Sequence, residues 1–336
     1  MKYIFLFILF FITINLQGQI KPEVLPEDLN SEEVHVECYC QPGVTNASRS
    51  KGISFSYGRL GDGAYHAEDG TILTEPFSKY NTVESYEFKL KVPVILKDDF
   101  KMLIGFKHAR ELFNFSNIGD DFDFAFQELA DEILKSSSIS LIVSKPLNAT
   151  KYLVFRLGYA AEGDYNQLMS FDQKYAVYKF FGLYAIKPHD GFEWGIGLGA
   201  TKSFRRIGAL PFILINKNFS KKWGMEAVLP AFVYGRYNMN KNNIFLLGVE
   251  YDSESYRLDI DNSNFSDFAY AYNHSEIIAS VKLEHRFAPW IWGNARFGYQ
   301  VNFSSDFESK SDAAPEFFSD PSNALFFKVG IFVSPE

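Results

Sequence analysis

Beyond its first twenty residues the chain has no apolar run of the length, about 20 residues, that a membrane-spanning helix needs. Any passage through a bilayer must then be made by strands, the other arrangement that satisfies every backbone group in lipid. Basic excess is missing as well. Thirty-three Lys and Arg stand against 41 Asp and Glu, a formal charge of −8, which argues against the basic face a nucleic-acid partner calls for. Cysteine is confined to Cys38 and Cys40. Two residues apart is an awkward loop to close as a disulfide, and for a metal site nearby His35 adds little. A bland exposed pair, a redox or disulfide pair and a metal site all remain open for them. No cysteine sits at the end of the N-terminal apolar segment where a leader would be cut, so nothing points to a lipid-modified N-terminus, and no motif calls for a cofactor.

What is present begins with a leader. Lys2 supplies a positive start, Ile4 to Ile14 an apolar core broken only at Thr13, and Asn15-Leu16-Gln17-Gly18-Gln19 a polar, small-residue exit. This is the pattern of a cleaved signal peptide over residues 1–19, cut after Gly18 or Gln19. Residues 20–50 are rich in Pro, Glu and Asn without a sustained period and read as an irregular periplasmic segment. Residues 51–336 form the main domain.

That domain is rich in rings. The chain carries 35 Phe and 19 Tyr, more than a soluble core uses, yet its mean hydropathy is slightly polar at −0.11. Strands with one greasy and one wet side reconcile the two facts, and the period from Lys51 onward is two. Tyr86, Phe88, Leu90, Val92, Val94 and Leu96 alternate with Ser85, Glu87, Lys89 and Lys91. The same alternation sets Leu153, Phe155, Leu157 and Tyr159 against Arg156 and Gly158, and Trp194, Ile196 and Leu198 against Glu193, Gly195, Gly197 and Gly199. Strands are expected at 52–60, 84–96, 101–113, 137–146, 150–161, 174–187, 191–203, 208–217, 223–238, 243–251, 255–260, 268–287, 290–303 and 323–333. Most are longer than the ~5–6 residues of globular strands and reach the ~9–11 that cross an outer membrane.

The fold class that follows is all-β, a transmembrane antiparallel up-and-down barrel of fourteen strands in the outer membrane. The count drops to twelve if the hairpin expected at Asp252-Ser253-Glu254 is instead one long strand and the parity shifts elsewhere. Short turns are expected at 97–99, 146–148, 188–191, 218–222, 252–254 and 288–289 on the periplasmic side, with long loops at 61–82, 114–134, 162–173, 261–267 and 304–322 outside. One loop has a different period: Phe126, Leu129, Ala130 and Ile133 fall at helical spacing after Asp120, Asp121 and Asp123, which suits a helix that caps or plugs the barrel.

Within these strands, Leu210-Pro211, then Lys222-Trp223-Gly224, then Leu229-Pro230 resembles a family of uncharacterised outer-membrane β-barrel proteins of Gram-negative bacteria. The resemblance spans roughly Lys51 to the end. It implies a fold and a location and brings no catalytic or binding residues. The chain departs from a general barrel habit in ending Phe332-Val333-Ser334-Pro335-Glu336 rather than on an aromatic residue.

Apparent chemical motifs have plainer readings. Asn273-His274-Ser275-Glu276 gathers a nucleophile, a base and an acid, the alternative being a barrel-wall lipid hydrolase. Neighbours on a strand point to opposite faces, however, so His274 and Ser275 cannot readily share a hydrogen bond. Gly195, Gly197 and Gly199 lack the following helix of a phosphate-binding loop and read as close packing in a strand. Asp259, Asp261, Ser263 and Asp267 recur like a calcium loop, but Asn264 and Tyr270 stand where Gly and Glu belong. The chain is therefore expected to be no enzyme.

The polar face itself supplies the candidate site: Glu87, Lys89, Lys91, Arg156, Glu193, Glu226, Arg236, Lys282, Glu284, Arg286 and Arg296, with Glu250, Arg257 and Lys328 beside them. Both signs occur, so an ion-pair network that fills the lumen is favoured over an open pore. The expected role is structural, or passive passage of small solutes through a narrow or plugged lumen. The expected partners are outer-membrane lipid, lipopolysaccharide and the outer-membrane assembly machinery, with no nucleic acid and with any small-molecule ligand unknown.

Overall fold

The computed structural model describes residues 42–68, 78–119, 123–204, 207–262, 265–309 and 317–334. The expected signal peptide, Cys38 and Cys40, and most of the 20–50 segment lie outside them. The strands are β1 (Ile53–Leu60), β2 (Gly63–Glu68), β3 (Ser78–Lys97), β4 (Phe100–Asn117), β5 (Leu134–Asn148), β6 (Lys151–Gly163), β7 (Ala176–His189), β8 (Phe192–Lys202), β9 (Ile207–Asn218), β10 (Trp223–Leu229), β11 (Phe232–Asn240), β12 (Asn243–Asn262), β13 (Phe265–Ala288), β14 (Ile291–Ser309), β15 (Phe317–Pro321) and β16 (Ala324–Val333). One helix, α1 (Asp123–Asp131), lies between β4 and β5.

From β2 to β15 each strand pairs antiparallel with its chain neighbour, and β1 closes the ring by pairing with both β16 and β3. β2 carries on the course of β1 and β15 that of β16, so the sixteen strands make fourteen staves. The expected count holds, although two boundaries differ and offset each other. Residues 223–238, expected as one strand, are the hairpin β10–β11, which reverses at Pro230 and Ala231 after a cis Leu229–Pro230 peptide. The hairpin expected at 252–254 is absent: β12 runs through it, pairing Asp252 with Glu276 and Glu254 with His274.

The barrel has two unlike ends. Short connections at 98–99, 149–150, 190–191, 219–222, 241–242 and 289–290 gather at the end where β1 starts and β16 stops, and the longer loops, including the one bearing α1, gather at the other. Along the wall the alternation sorts cleanly. Val92, Val94, Leu96, Leu157, Ile196, Phe297 and Ile331 are exposed on the outer face, while Glu193, Glu226, Arg236 and Glu284 are buried inside. Phe219, Trp223, Phe287 and Trp290 stand exposed near the short turns, as an interfacial girdle would. A closed ring of strands with an apolar belt outside and charge within is the architecture that spans an outer membrane.

The wall is not of even height, and its upper part folds into a smaller ring. β6 and β12, far apart in the fourteen-stave order, meet across the barrel in a parallel contact of Gly163 with Arg257, and Asp164 N donates to Arg257 O at 3.2 Å. This contact closes a ring of β2, β3, β4, β5, β6, β12, β13, β14 and β15 above the main barrel. An antiparallel ring with an odd number of members must contain one parallel pair, and this is it. Rings of about eight strands are just filled by side chains. Here Tyr65, Tyr80, Phe113, Tyr256, Tyr272 and Phe307 fill it, with Phe126 and Leu129 of α1 fully buried among them. The helix expected in the 114–134 loop is thus present and packs inside the ring.

The arc left outside that ring has its own dry filling. Tyr152, Val154, Phe181, Leu183, Phe212 and Val228 point inward, and Phe181 stacks on Phe212 at 4.6 Å. The lumen-facing glycines of β8 make room for this: a Cβ on Gly197 would lie 2.0 Å from the Phe212 ring, and one on Gly195 within 2.9 Å of Leu183 and Ala185. At Gly195 and Gly197 the pattern is packing, as read from the sequence.

Candidate functional site: a charged chamber closed at both ends

Between the aromatic upper ring and the short-turn end lies a cavity of about 270 Å³. Among the predicted lumen residues, Glu87, Lys89, Lys91, Arg156 and Arg296 line it, together with Glu250 and Lys328. Glu87 is the hub of one wall: Lys89, Lys328 and Lys107 stand 3.1, 3.6 and 3.8 Å from its carboxylate. Arg296 pairs with Glu250 at 3.2 Å, and Tyr234 donates to the same carboxylate at 2.6 Å. Lys179 of β7 and Glu162 of β6 pair at 2.5 Å.

A second cavity of about 80 Å³ lies toward the short turns, lined by Glu226, Lys282 and Glu284 of the predicted set and by Glu87, Lys89 and Arg296, which it shares with the first. Below it, residues 42–51 cross the mouth of the barrel without forming a strand. Three inward carboxylates grip this strap. Gly43 N donates to Glu193 Oε1 at 2.8 Å, Ser48 N and Oγ donate to Glu226 at 2.8 and 2.5 Å, and Arg49 N donates to Glu284 at 3.3 Å. Each acid is neutralised or anchored from the wall. Arg236 pairs with Glu226 at 2.6 Å, Lys282 with Glu284 at 3.0 Å, and Tyr152 and Asn216 donate to Glu193 at 2.6 and 2.8 Å. Arg49 and Lys51 lie over the rings of Trp292 and Phe332, and Phe332 faces inward at this mouth. Glu193, Glu226, Arg236 and Glu284 therefore serve the strap as much as the lumen.

Arg286 and Arg257 stand elsewhere. Arg286 donates to the carbonyls of Ala288 and Pro289 at 3.3 and 2.8 Å, which places it at the rim, because β13 ends two residues later. Arg257 is buried in the upper ring, paired with Asp259 at 2.6 Å. Asp259 also meets Lys174 at 2.5 Å, so the first acid of the calcium-like run is spent on ion pairs; Asp261, Ser263 and Asp267 lie outside the described side chains.

A third group of residues around the chamber was not assigned to the lumen from the sequence: Lys107, Arg110, Glu111, Lys179, Asp252, Glu254, His274 and Glu276. Lys107 and Glu111 on β4 and Lys179 on β7 obey the same alternation and could have been found by it, whereas Arg110 has the opposite parity and donates to His108 Nε2 on the exposed side. Asp252 and Glu254 were hidden by being read as a turn. His274 does enter the lumen, 4.0 Å from Glu254, whereas Ser275 faces away and shares a 2.8 Å hydrogen bond with Ser253. The two do not form a nucleophile and base.

The outer seal carries titratable groups of its own. Glu128 on α1 is half-buried, and loss of solvent, reinforced by Asp164, Glu132 and Asp131, pushes its pKa up to about 7. Burial likewise raises Asp164 in the 164–175 loop, against the amide of Asp259 that donates to it at 2.6 Å.

Residues 59–335 match the family model described as a domain of unknown function, DUF6268. The chain belongs to this family. No curated protein matches the DUF6268 chain. Among solved structures it is similar to a FadL homologue of Pseudomonas aeruginosa, at 10% identity over 85% of this chain and 91% of that one, with a TM-score of 0.44. It is similar also to an outer membrane channel from Pseudomonas putida F1, at 10% identity over 90% of this chain and 100% of that one, with a TM-score of 0.40. A third likeness is to the translocator domain of the autotransporter NalP from Neisseria meningitidis, at 10% identity, 85% and 90% coverage and a TM-score of 0.32. Scores below 0.5 assign no cargo to the DUF6268 chain.

Proposed function

We propose that this protein is an outer-membrane channel for small hydrophilic solutes that rests closed. The observation that carries this reading is the charged chamber of about 270 Å³ held between two separate seals, the strap at one mouth and the α1-filled ring at the other. A barrel built only as a scaffold gains nothing from keeping such a space, because each buried charge has to be compensated. Lys, Arg, Asp and Glu around the chamber favour charged or zwitterionic cargo and disfavour hydrocarbon, whose transfer next to unshielded charge forfeits the solvation those groups need. The outer face meets lipid and lipopolysaccharide, and delivery rests on the envelope's assembly machinery.

Reconstitution in planar bilayers tests the reading. Wild-type protein should show little steady conductance. A variant with the strap freed by Glu193→Gln and Glu226→Gln and with residues 120–134 deleted should open in small discrete steps. A wild-type channel of large constant conductance, or a folded doubly released variant that stays silent, would sink the proposal.

A further inference from the structure

The lumen acids divide into two kinds. Glu87, Glu162, Glu226, Glu250 and Glu284 each face a Lys or Arg within 4 Å. Glu111, Glu254 and Glu276 form no ion pair with Lys or Arg among the described residues, although all three line the chamber. Beside them sits an imidazole. His274 is in register with Glu254 across the β12–β13 ladder, and its Nε2 lies 4.0 Å from Glu254 Oε2. A carboxylate oxygen of Glu111, one of Glu254 and a ring nitrogen of His274 all lie within 4.8 Å of one another.

We propose that Glu111, Glu254 and His274 form a binding site for a divalent transition-metal ion, zinc-like in its ligand preference, opening on the chamber. Three staves deliver the ligands: β4, β12 and β13. Donor atoms on one ion stand about 3–4.4 Å apart, since metal bonds to oxygen and nitrogen run about 2.0–2.2 Å. The group needs only a small side-chain contraction to reach that spacing. A dication there would sit between two carboxylates that form no ion pair with Lys or Arg among the described residues.

The surroundings hold the ligands as an outer shell does. The Tyr256 hydroxyl donates to the Glu254 carboxylate. The rings of Tyr256 and Tyr272 flank His274 at 6.1 and 5.3 Å and fix its plane. His274 Nδ1 is buried with no hydrogen-bond partner, so the protein has not used that nitrogen's bonding capacity. One imidazole among carboxylates steers selection away from magnesium and calcium, which take all-oxygen sets, and the lack of sulfur steers it away from Cu(I). Three protein ligands leave at least one coordination position facing the chamber. The site is independent of whether the channel opens.

Zinc binding to the full-length, detergent-purified protein tests this, after chelator treatment and in a C38S/C40S background that removes the competing thiols. Calorimetry should give one Zn²⁺ per chain. Tyr256→Phe should weaken it about tenfold, and Glu254→Gln and His274→Ala by more. Asp190→Asn, at an exposed turn, should leave it unchanged. Folding of each variant is read from its heat-modifiable gel migration. X-ray absorption on the zinc-loaded C38S/C40S protein, which needs no change in the site, should show a shell of nitrogen and oxygen only that includes one imidazole. Wild-type protein that binds no stoichiometric zinc, a folded H274A that binds as tightly as its parent, or a shell without imidazole would overturn the proposal.

Discussion

Ser48 meets Glu226 twice, through its amide at 2.8 Å and its hydroxyl at 2.5 Å, while Arg236 holds the same carboxylate at 2.6 Å from the other side. The strap and the barrel wall thus share one acid. The acid's two duties separate in mutants. Ser48→Ala removes one hydrogen bond to a charged group, a contribution of about 1.5–3 kcal/mol, and leaves the wall intact. Hydrogen exchange of the Gly43 and Ser48 amides should quicken by about tenfold or more, with little change in the thermal transition. Glu226→Gln instead leaves Arg236 buried without its counter-ion, which costs about 3–5 kcal/mol, so there the transition itself should fall. Equal behaviour of the two variants would mean that the strap is held by other contacts.

Gly163 closes the upper ring and can be nothing else. Its φ is +151°, and a Cβ there would lie 2.2 Å from the carbonyl oxygen of Arg257. Gly163→Ala should therefore part β6 from β12 at a cost of about 1–3 kcal/mol, seen as lower thermal stability and faster proteolysis in the 164–175 loop. Gly235→Ala is the control, because its nearest neighbour, Leu247 O, is 3.7 Å away. Comparable losses from both would remove the ring contact from the account.

Docking of α1 should depend on pH through Glu128. Its pKa is raised from 4.5 to about 7, chiefly by burial. Below 4.5 docked and undocked states both hold the proton; between 4.5 and 7 only the undocked state ionises; above 7 the docked helix must carry a half-buried charge. Docking is accordingly strongest at low pH and weakens as pH rises through this window. Amide exchange in residues 124–131, corrected for its intrinsic rate, should show less protection at about pH 8 than at about pH 5. Glu128→Gln should flatten the difference. An unchanged pH dependence in that variant would assign it to Asp164 instead.

Much of this architecture was legible because one rule, alternation between lipid and lumen, acts on every stave. Glu87 and Lys89 on β3, or Trp194 and Glu193 on β8, could be sorted to their faces from neighbours alone. The rule failed where its premise did. A wet lumen makes Asp252-Ser253-Glu254 resemble a turn although it is mid-strand, and the β10–β11 reversal at Pro230-Ala231 carries none of the Gly, Asn or Asp that usually mark a turn. Two features had no local signal at all. The strap over 42–51 has no period because its order comes from acids more than a hundred residues away, such as Glu193 for Gly43. Likewise Glu111, Glu254 and His274 share no spacing, since β4, β12 and β13 bring them together only through closure and the inward course of β12.

The unlike ends of the barrel fix its orientation, and labelling can read it. Short turns and the chain's entry into the barrel lie together at the strap end, which in outer-membrane barrels faces the periplasm, while longer loops face outward. Leu168, on the 164–175 loop, and Asn242, in the 241–242 turn, are both exposed, so each can be replaced by Cys without disturbing packing. Cys38 and Cys40 must first be changed to Ser to clear the background. With a membrane-impermeant maleimide on intact cells, Leu168→Cys should label and Asn242→Cys should not; after the outer membrane is permeabilised both should label. The opposite result would invert the barrel, turning the strap outward and α1 toward the periplasm, and the strap would then close the entrance instead of the exit. Labelling of both residues in intact cells would instead mean that the envelope was leaky, a condition that a periplasmic marker protein scored in the same cells detects.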